Sequence, residues 1–396
     1  MREAFIVSAI RTPIGKIGGV FKDVTPDVLA EAVIKKAIEK SGLDASKIDE
    51  IIFGQTKQSA DYPNIARVAS LMAGVPESVP SYTVMRQCGS GLQAILNAYQ
   101  IIMSDMGDVV LAGGVESMSN APYYLRSARY GYNAGNSVLV DSNTESQPKS
   151  QPESIYGSFT MGMTAENISR KYNISKCEQD EYALLSQNRA LKAIENGIFN
   201  DEIIPIEVID KKGNVFVIDK DEGPRETSME LLAKLKPVFM EGGTVTAGNA
   251  STRNDGAAAL MIASSDAVKN NGIKPLAKIV SCCAVGVDPK LMGIGPVDAI
   301  KKVLKNANLK LEDIDVIEIN EAFASQTLAA VKELNIDLEK LNPNGGAIAL
   351  GHPLGCSGAR IITTLVHQMK RKNSRYGLGA ICIAGGQGMA IIIENL

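Results

Sequence analysis

The chain repeats itself. Residues 43–54 (LDASKIDEIIFG) return 266 positions later as residues 309–320 (LKLEDIDVIEIN), keeping an Ile-Asp step ahead of an apolar run. Ser90-Gly91 returns 267 positions later as Ser357-Gly358, each pair opening an apolar helical pattern, and residues 110–114 (VLAGG) return 272 positions later as 382–386 (CIAGG). Three echoes in one order point to duplication. Two similar strand-and-helix halves can bury helices of both between two sheets, so the expected fold class is α/β: a duplicated, layered core with one site where the halves meet.

Along the first half, residues 3–10 read as a strand and residues 26–40 as a helix with apolar spacing at Val28, Leu29, Ala32, Val33 and Ala37. An apolar strand ending at Gly54, a helix over 66–73, a strand over 81–84 and a helix after Cys88 follow, then a strand over 109–114. Residues 119–248 break this alternation with tyrosines at 123, 124, 130, 132 and 156, an Asn/Ser/Gln/Pro-rich stretch over 141–154, a helix over 178–196 and scattered cations including Lys211, Lys212, Lys234 and Lys236. The expected domains are therefore a first core half at 1–118, completed by 249–270, an inserted loop domain at 119–248, and a second core half at 271–396.

Composition narrows the partners. The net charge is −3 and no basic block is present, so neither nucleic acid nor an anionic membrane has an electrostatic footprint. The apolar run at the start is too short for a membrane span or a secretory core and reads as the first strand. Six cysteines at irregular spacing make no disulfide framework in a chain of 396 residues, which fits a reducing cytoplasm. With two histidines and no Cys-x-x-Cys, a structural zinc site lacks ligands, and no metal is expected.

The chemistry centres on residues 82–94 (YTVMRQCGSGLQA), where a β-branched run meets a Gly-Ser-Gly turn and then a helical pattern. A cysteine at such a junction, Cys88, faces unpaired N–H groups and the positive end of a helix dipole, which favour a thiolate nucleophile at neutral pH. The same residues imitate a dinucleotide fingerprint, Gly89-x-Gly91-x-x-Ala94, but no acid ends the next strand to bind a ribose. In the second half, residues 342–358 (NPNGGAIALGHPLGCSG) and 382–388 (CIAGGQG) place single polar groups among glycines. His352, between Gly351 and Pro353, reads as a poised base, whereas His367 falls in an apolar helical run. Asn320 follows a strand end, where its amide can hold a water or an oxyanion.

Together Cys88 in Cys-Gly-Ser-Gly, Asn320-Glu-Ala-Phe, Gly351-His-Pro and Cys382-x-x-Gly-Gly-x-Gly resemble the thiolases over the whole chain, with further matches at residues 113–118, 164–167 and 247–251. The likeness is greatest to acetyl-CoA C-acetyltransferases of the bacterial biosynthetic type. It implies a duplicated α/β/α/β/α core with an inserted loop domain, and an enzyme that condenses two acetyl-CoA to acetoacetyl-CoA, with Cys88 acylated, His352 activating it, Cys382 acting as acid and base at the substrate α-carbon, and Asn320 in an oxyanion site. Ser251, Met161, Met292 and Phe323 match positions near pantetheine or the acyl group, Ala384 a second oxyanion hole, and Arg225 a coenzyme A contact. No separate cofactor is implied, because coenzyme A arrives within the acyl-CoA substrate, and the family implies a homotetramer. Two departures stand out. Thr160 replaces a His common in acetoacetyl-CoA thiolases, which bears on chain length, and Ala384 replaces a Gly, which matters only where φ must be positive. A degradative 3-ketoacyl-CoA thiolase with broader chain length is the alternative within the family, and a Cys-His hydrolase or a silent coenzyme A-binding scaffold are the alternatives outside it.

Overall fold

The computed structural model describes residues 2–209 and 211–396. Nine strands of four or more residues form its large sheet: β1 (Ala4–Arg11), β2 (Glu50–Gly54), β3 (Ser81–Val84), β4 (Val109–Ser117), β5 (Asn254–Ser264), β6 (Ala277–Gly286), β7 (Val316–Ile319), β8 (Tyr376–Ile383) and β9 (Gln387–Asn395). The principal helices are α1 (Pro26–Ser41), α2 (Ile65–Met72), α3 (Ser90–Met103), α4 (Met161–Tyr172), α5 (Lys176–Glu195), α6 (Gly295–Ala307), α7 (Ala324–Leu334) and α8 (Leu354–Lys372). The strands lie in the order β7-β8-β9-β6-β1-β5-β4-β2-β3. Read outward from the middle, β6-β9-β8-β7 and β1-β5-β4-β2 mirror each other. Within the sheet, the two halves are joined where Phe5 and Ile6 of β1 pair with Lys278 and Ala277 of β6.

Period-two alternation along the strands decides which layer each side chain enters. Val110 and Ala112 of β4, with Met389, Ile391 and Ile393 of β9, face a central core that also contains Leu92 and Ile95 of α3 and Ile361, Ile362 and Leu365 of α8. Val109 and Leu111 turn the other way, onto Leu29, Val33 and Ile34 of α1 and Ile65 and Ala69 of α2. Ala390 and Ile392 likewise turn onto Val297, Ile300 and Val303 of α6 and Ala324 and Ala330 of α7. The result is the five-layered α/β/α/β/α stack. On α1 the buried stripe is Leu29, Ala30, Val33, Ile34 and Ala37, and Val28 points to solvent, one position off the expected face.

The two central helices touch at their first turns. A Cβ on Gly91 would lie 2.8 Å from the Ala359 nitrogen and the Gly355 oxygen, and one on Gly358 would lie 2.3 Å from the Leu92 nitrogen. Only glycine at both mirror-related positions lets α3 and α8 start side by side. The third echo does not survive. β2 pairs Glu50 with Val110, and β7 pairs Val316 with Gly377, so the halves correspond at an offset of 267 and not 272. Gly113 and Gly114 lie within β4, whereas Gly385 (φ 86°) and Gly386 (φ 79°) make the turn between β8 and β9. Runs of small residues look alike whether they allow close packing or a left-handed turn.

Candidate active site

Cys88 sits where β3 turns into α3. Gln87 adopts φ 45°, uncommon outside glycine and costing on the order of 1–2 kcal/mol. Ser90 holds this turn: its Oγ–H donates to the Gln87 carbonyl (2.7 Å) and its Oγ accepts from the Arg86 N–H (2.8 Å), while the Gly89 N–H donates to the Arg86 carbonyl (3.0 Å). The sulfur is thereby placed before the helix start, in a residue only 9% exposed. The Ala384 N–H and the N–H of Cys88 itself are both directed at it. Ala384 is not among the residues with positive φ, so alanine supplies this donor without strain.

His352 lies in the loop ahead of α8, its N–H donating to Asn254 Oδ1 (3.0 Å). Its Nδ1 is 2.6 Å from Ser357 Oγ, and that hydroxyl donates to the Pro353 carbonyl (2.9 Å). A hydroxyl has one proton to give. With it committed to the carbonyl, Ser357 accepts from Nδ1–H, which leaves Nε2 as the unprotonated nitrogen. Asn320, wholly buried at the end of β7, holds its Nδ2 at 3.4 Å from both ring nitrogens. Asn320 Oδ1 has no protein partner, so the amide is free to engage a substrate oxygen or a solvent molecule.

Cys88 and His352 meet at a cleft of about 210 Å³ at the junction of the two halves, and Asn320 is buried outside its lining. Cys88, His352, Ser251, Met161, Met292, Phe323 and Ala384 all line it. Cys382 stands just behind the lining, in an apolar cluster with Ala165, Ala250, Met292, Ala322 and Phe323, and Phe239 meets Phe323 edge-on with ring centres 6.2 Å apart. The Ser251 hydroxyl and N–H both donate to the Ala322 carbonyl (3.0 Å each), tying the 249–251 loop to the end of β7. Arg225 is exposed and lies outside the lining. Thr160 caps the start of α4 through the Met163 N–H and is also outside it.

Several contributors escaped the sequence reading. Ser357 and Asn254 orient His352, although Ser357 had signalled only a helix start. Asn143, Ser146, Gln147 and Ser150 make a polar wall of the cleft from what read as inserted loop. Buried Glu116 accepts from the Lys57 N–H (2.9 Å) and the Gly355 N–H (2.9 Å), with Thr56 bonded to it as well, and so ties β4 to the loop after β2 and to the first turn of α8. The Lys57 ammonium donates to Ser146 Oγ (2.5 Å) and the Ser142 carbonyl (3.2 Å).

Electrostatics corrects one expectation. Burial pushes the Cys88 thiol up to about 11, outweighing the two N–H groups and the Lys57 charge, all of which act to lower it. Burial, aided by the Arg360 charge, pushes His352 down to about 3. Cys382 is also pushed well up, by burial and then by the nearby Cys88 charge. The free site at neutral pH therefore holds thiols and a neutral imidazole, not a preformed thiolate. The helix start still matters, as a fixed set of donors for charge that develops during reaction. Among the described residues no group of three or more His, Cys, Asp or Glu could hold a metal ion, and no helix is long and apolar enough to cross a membrane.

Family models for the thiolase N-terminal domain and the thiolase C-terminal domain match residues 4–266 and 273–395. An acetyl-CoA acetyltransferase of Syntrophomonas wolfei is 45% identical over 406 residues, covering 100% of both chains. Among solved structures, the acetyl-CoA acetyltransferase of Bacillus anthracis superposes with a TM-score of 0.97 at 46% identity, over 100% of this chain and 99% of that one. Human mitochondrial 3-ketoacyl-CoA thiolase in complex with CoA superposes with a TM-score of 0.95 at 46% identity, over 100% and 98%. Two domain models that between them span nearly the whole chain, and relatives this similar along its full length, make the chain a member of the thiolase family of enzymes.

Proposed function

We propose that the chain transfers acyl groups between coenzyme A thioesters through an acyl-Cys88 intermediate, condensing two acetyl-CoA to acetoacetyl-CoA and coenzyme A, reversibly. The observation that carries this reading is His352, with its Nε2 left unprotonated by Ser357, lining one cleft together with Cys88, with a second thiol, Cys382, directly behind. Cys88 Sγ attacks the thioester carbonyl as its proton passes to His352 Nε2, and the carbonyl oxygen takes up the charge. Collapse breaks the carbon–sulfur bond to coenzyme A, whose thiolate collects the proton from His352. His352, neutral again, accepts the Cys382 proton, and the Cys382 thiolate removes a proton from the methyl group of a second acetyl-CoA. The enolate oxygen is held by the imidazolium and the Asn320 amide. The enolate carbon then attacks the acetyl carbonyl, whose oxygen meets the Cys88 and Ala384 N–H groups. The bond to Cys88 breaks, and its thiolate recovers the proton from His352. No metal or separate cofactor enters these steps.

Incubation with acetyl-CoA followed by peptide mass analysis should find an acetyl group on Cys88; an unlabelled Cys88 would overturn the reading. A degradative 3-ketoacyl-CoA thiolase of broader chain length is the second reading, favoured by Thr160 and by equal identity, 46%, to a bacterial acetyl-CoA acetyltransferase and a human 3-ketoacyl-CoA thiolase. Cleavage rates on acetoacetyl-CoA and a long-chain 3-ketoacyl-CoA separate the two. The reading includes a cytoplasmic homotetramer. It is supported by the exposed apolar residues around the strands Tyr123–Leu125 and Leu139–Asp141, where Tyr123 is 60%, Tyr130 90% and Val138 75% exposed. A monomeric mass by light scattering at micromolar concentration would reject it.

A further inference from the structure

One residue past Asn320 is a carboxylate with four donors and no cation. Glu321 Oε1 accepts from the Tyr182 hydroxyl (2.8 Å) and Asn342 Nδ2 (2.8 Å). Its Oε2 accepts from the Ser186 hydroxyl (2.7 Å) and the Ile348 N–H (3.1 Å). The side chain is buried, and no lysine or arginine among the described residues forms a salt bridge with it. The donors come from separate pieces of chain. Tyr182 and Ser186 are one turn apart on α5. Asn342 also brackets the end of β7, its Oδ1 accepting from the Ile319 N–H (2.9 Å) and its Nδ2 donating to the Ile319 carbonyl (2.9 Å). Ile348 belongs to the short helix Ala347–Leu350, which runs directly into Gly351 and His352. Ser186 Oγ in turn accepts from the Gly346 N–H (3.1 Å) at the start of that helix.

We propose that Glu321 is a positioning residue that locks the Asn320 amide and the His352 imidazole to each other, and both to α5, by joining the end of β7 to the segment that carries the histidine. The functional part rests on the acyl-transfer reading above. That chemistry needs amide and imidazole to meet the same enolate oxygen, a constellation that tolerates displacements of about 0.5 Å and loses about 100-fold for a shift of about 1 Å. The His352 ring is held by Ser357, and the Asn320 amide has no tie as short. Asn320 has an unpartnered Oδ1 and a long approach to the ring, so its placement comes from the backbone on either side.

Glu321→Gln is an informative change because the volume is kept and the acceptor count is not. The hydroxyls of Tyr182 and Ser186 can rotate to accept. The Ile348 N–H cannot, and Asn342 cannot flip its amide without losing both bonds to Ile319. Whichever oxygen becomes NH₂ therefore faces one obligate donor, and a buried donor pair is forced apart. The expected result is a fall in kcat of about tenfold or more with KM within about twofold, as for loss of an interaction made only in the transition state. In a cycle with Asn320→Ala, the double variant should lose much less kcat than the product of the single losses. Tyr182→Phe with Ser186→Ala, which keeps the carboxylate, should give the same pattern more weakly and serves if Glu321→Gln does not fold. Hydrogen exchange reads the lock without any acyl-CoA: protection should fall together in peptides covering 319–323 and 346–352 while β9 is unchanged. A kcat within twofold of wild type, a multiplicative cycle, or loosening of only one of the two peptides would each overturn the proposal. Absence of acyl transfer by the wild type would instead overturn the function and leave the exchange experiment to judge the lock.

Discussion

Asp49 and Asp315 make the same pair of hydrogen bonds in the two halves of the molecule. Asp49 Oδ2 accepts from the Asp108 N–H (2.6 Å) and the Val109 N–H (2.9 Å), and Asp315 Oδ2 accepts from the Arg375 N–H (2.7 Å) and the Tyr376 N–H (3.1 Å). Each aspartate stands just ahead of the first of two parallel strands, β2 or β7, and accepts from the N–H groups at the start of its neighbour, β4 in one half and β8 in the other. The duplication thus reaches individual bonds. It also fixes strand register at the ends remote from the cleft.

Removing either carboxylate should therefore cost stability and not chemistry. Asp49→Ala and Asp315→Ala are each expected to lose about 1–3 kcal/mol in urea unfolding, with kcat within twofold of wild type. A kcat loss equal to that of a cleft variant would show that register at the strand starts is felt at their far ends.

Ser357 should matter more than a helix-opening serine would. Ser357→Ala frees His352 Nδ1 and removes the reason for the proton to sit there, so kcat should fall by about tenfold or more. His367, whose Nε2–H donates to the Ala9 carbonyl (2.9 Å), should behave differently: His367→Ala is expected to lower the unfolding midpoint and spare kcat. Equal kinetic losses in both variants would remove the distinction between the two histidines.

A thiol pushed up to about 11 gives a particular alkylation profile. The rate at which iodoacetamide modifies Cys88 should keep rising with pH past 9, about tenfold per unit, because only the thiolate reacts. Glu116 acts to raise this thiol and Lys57 to lower it, so Lys57→Met should move the profile further alkaline. A plateau near pH 7 in the wild type would restore the preformed thiolate that the helix start alone suggested.

Glu318, buried on β7 with Arg360 3.8 Å away, is pushed up to about 8 by burial, against the attraction of Arg360. Between about pH 4.5 and 8 the folded chain keeps a proton there that the unfolded chain has lost. The unfolded state then binds fewer protons, so this group makes stability fall as pH rises through that window. Glu318→Gln cannot titrate and should gain on the wild type with rising pH, by at most about 1.4 kcal/mol per unit. Urea midpoints of both proteins at pH 5 and pH 8 measure it. A constant difference between them would show that Glu318 is ionised throughout.

The chain displays the layered duplicated fold and marks Cys88, His352, Asn320 and Cys382 as candidates, because turn glycines, apolar periodicity and repeated motifs are local patterns a linear sequence can show. It misplaced the third echo, since small residues mark both close packing and left-handed turns. It could not weigh burial against a helix dipole at Cys88, nor see that Ser357 sets the His352 tautomer, nor bring the 143–150 segment to the cleft wall with Lys57 bonded to it. Those depend on distance through space and on exclusion of water. Segments more than 200 residues apart, such as β4 and the start of α8 joined by Glu116, acquire a distance only when the two halves close on each other, and with it the low dielectric that raises one thiol and lowers one imidazole.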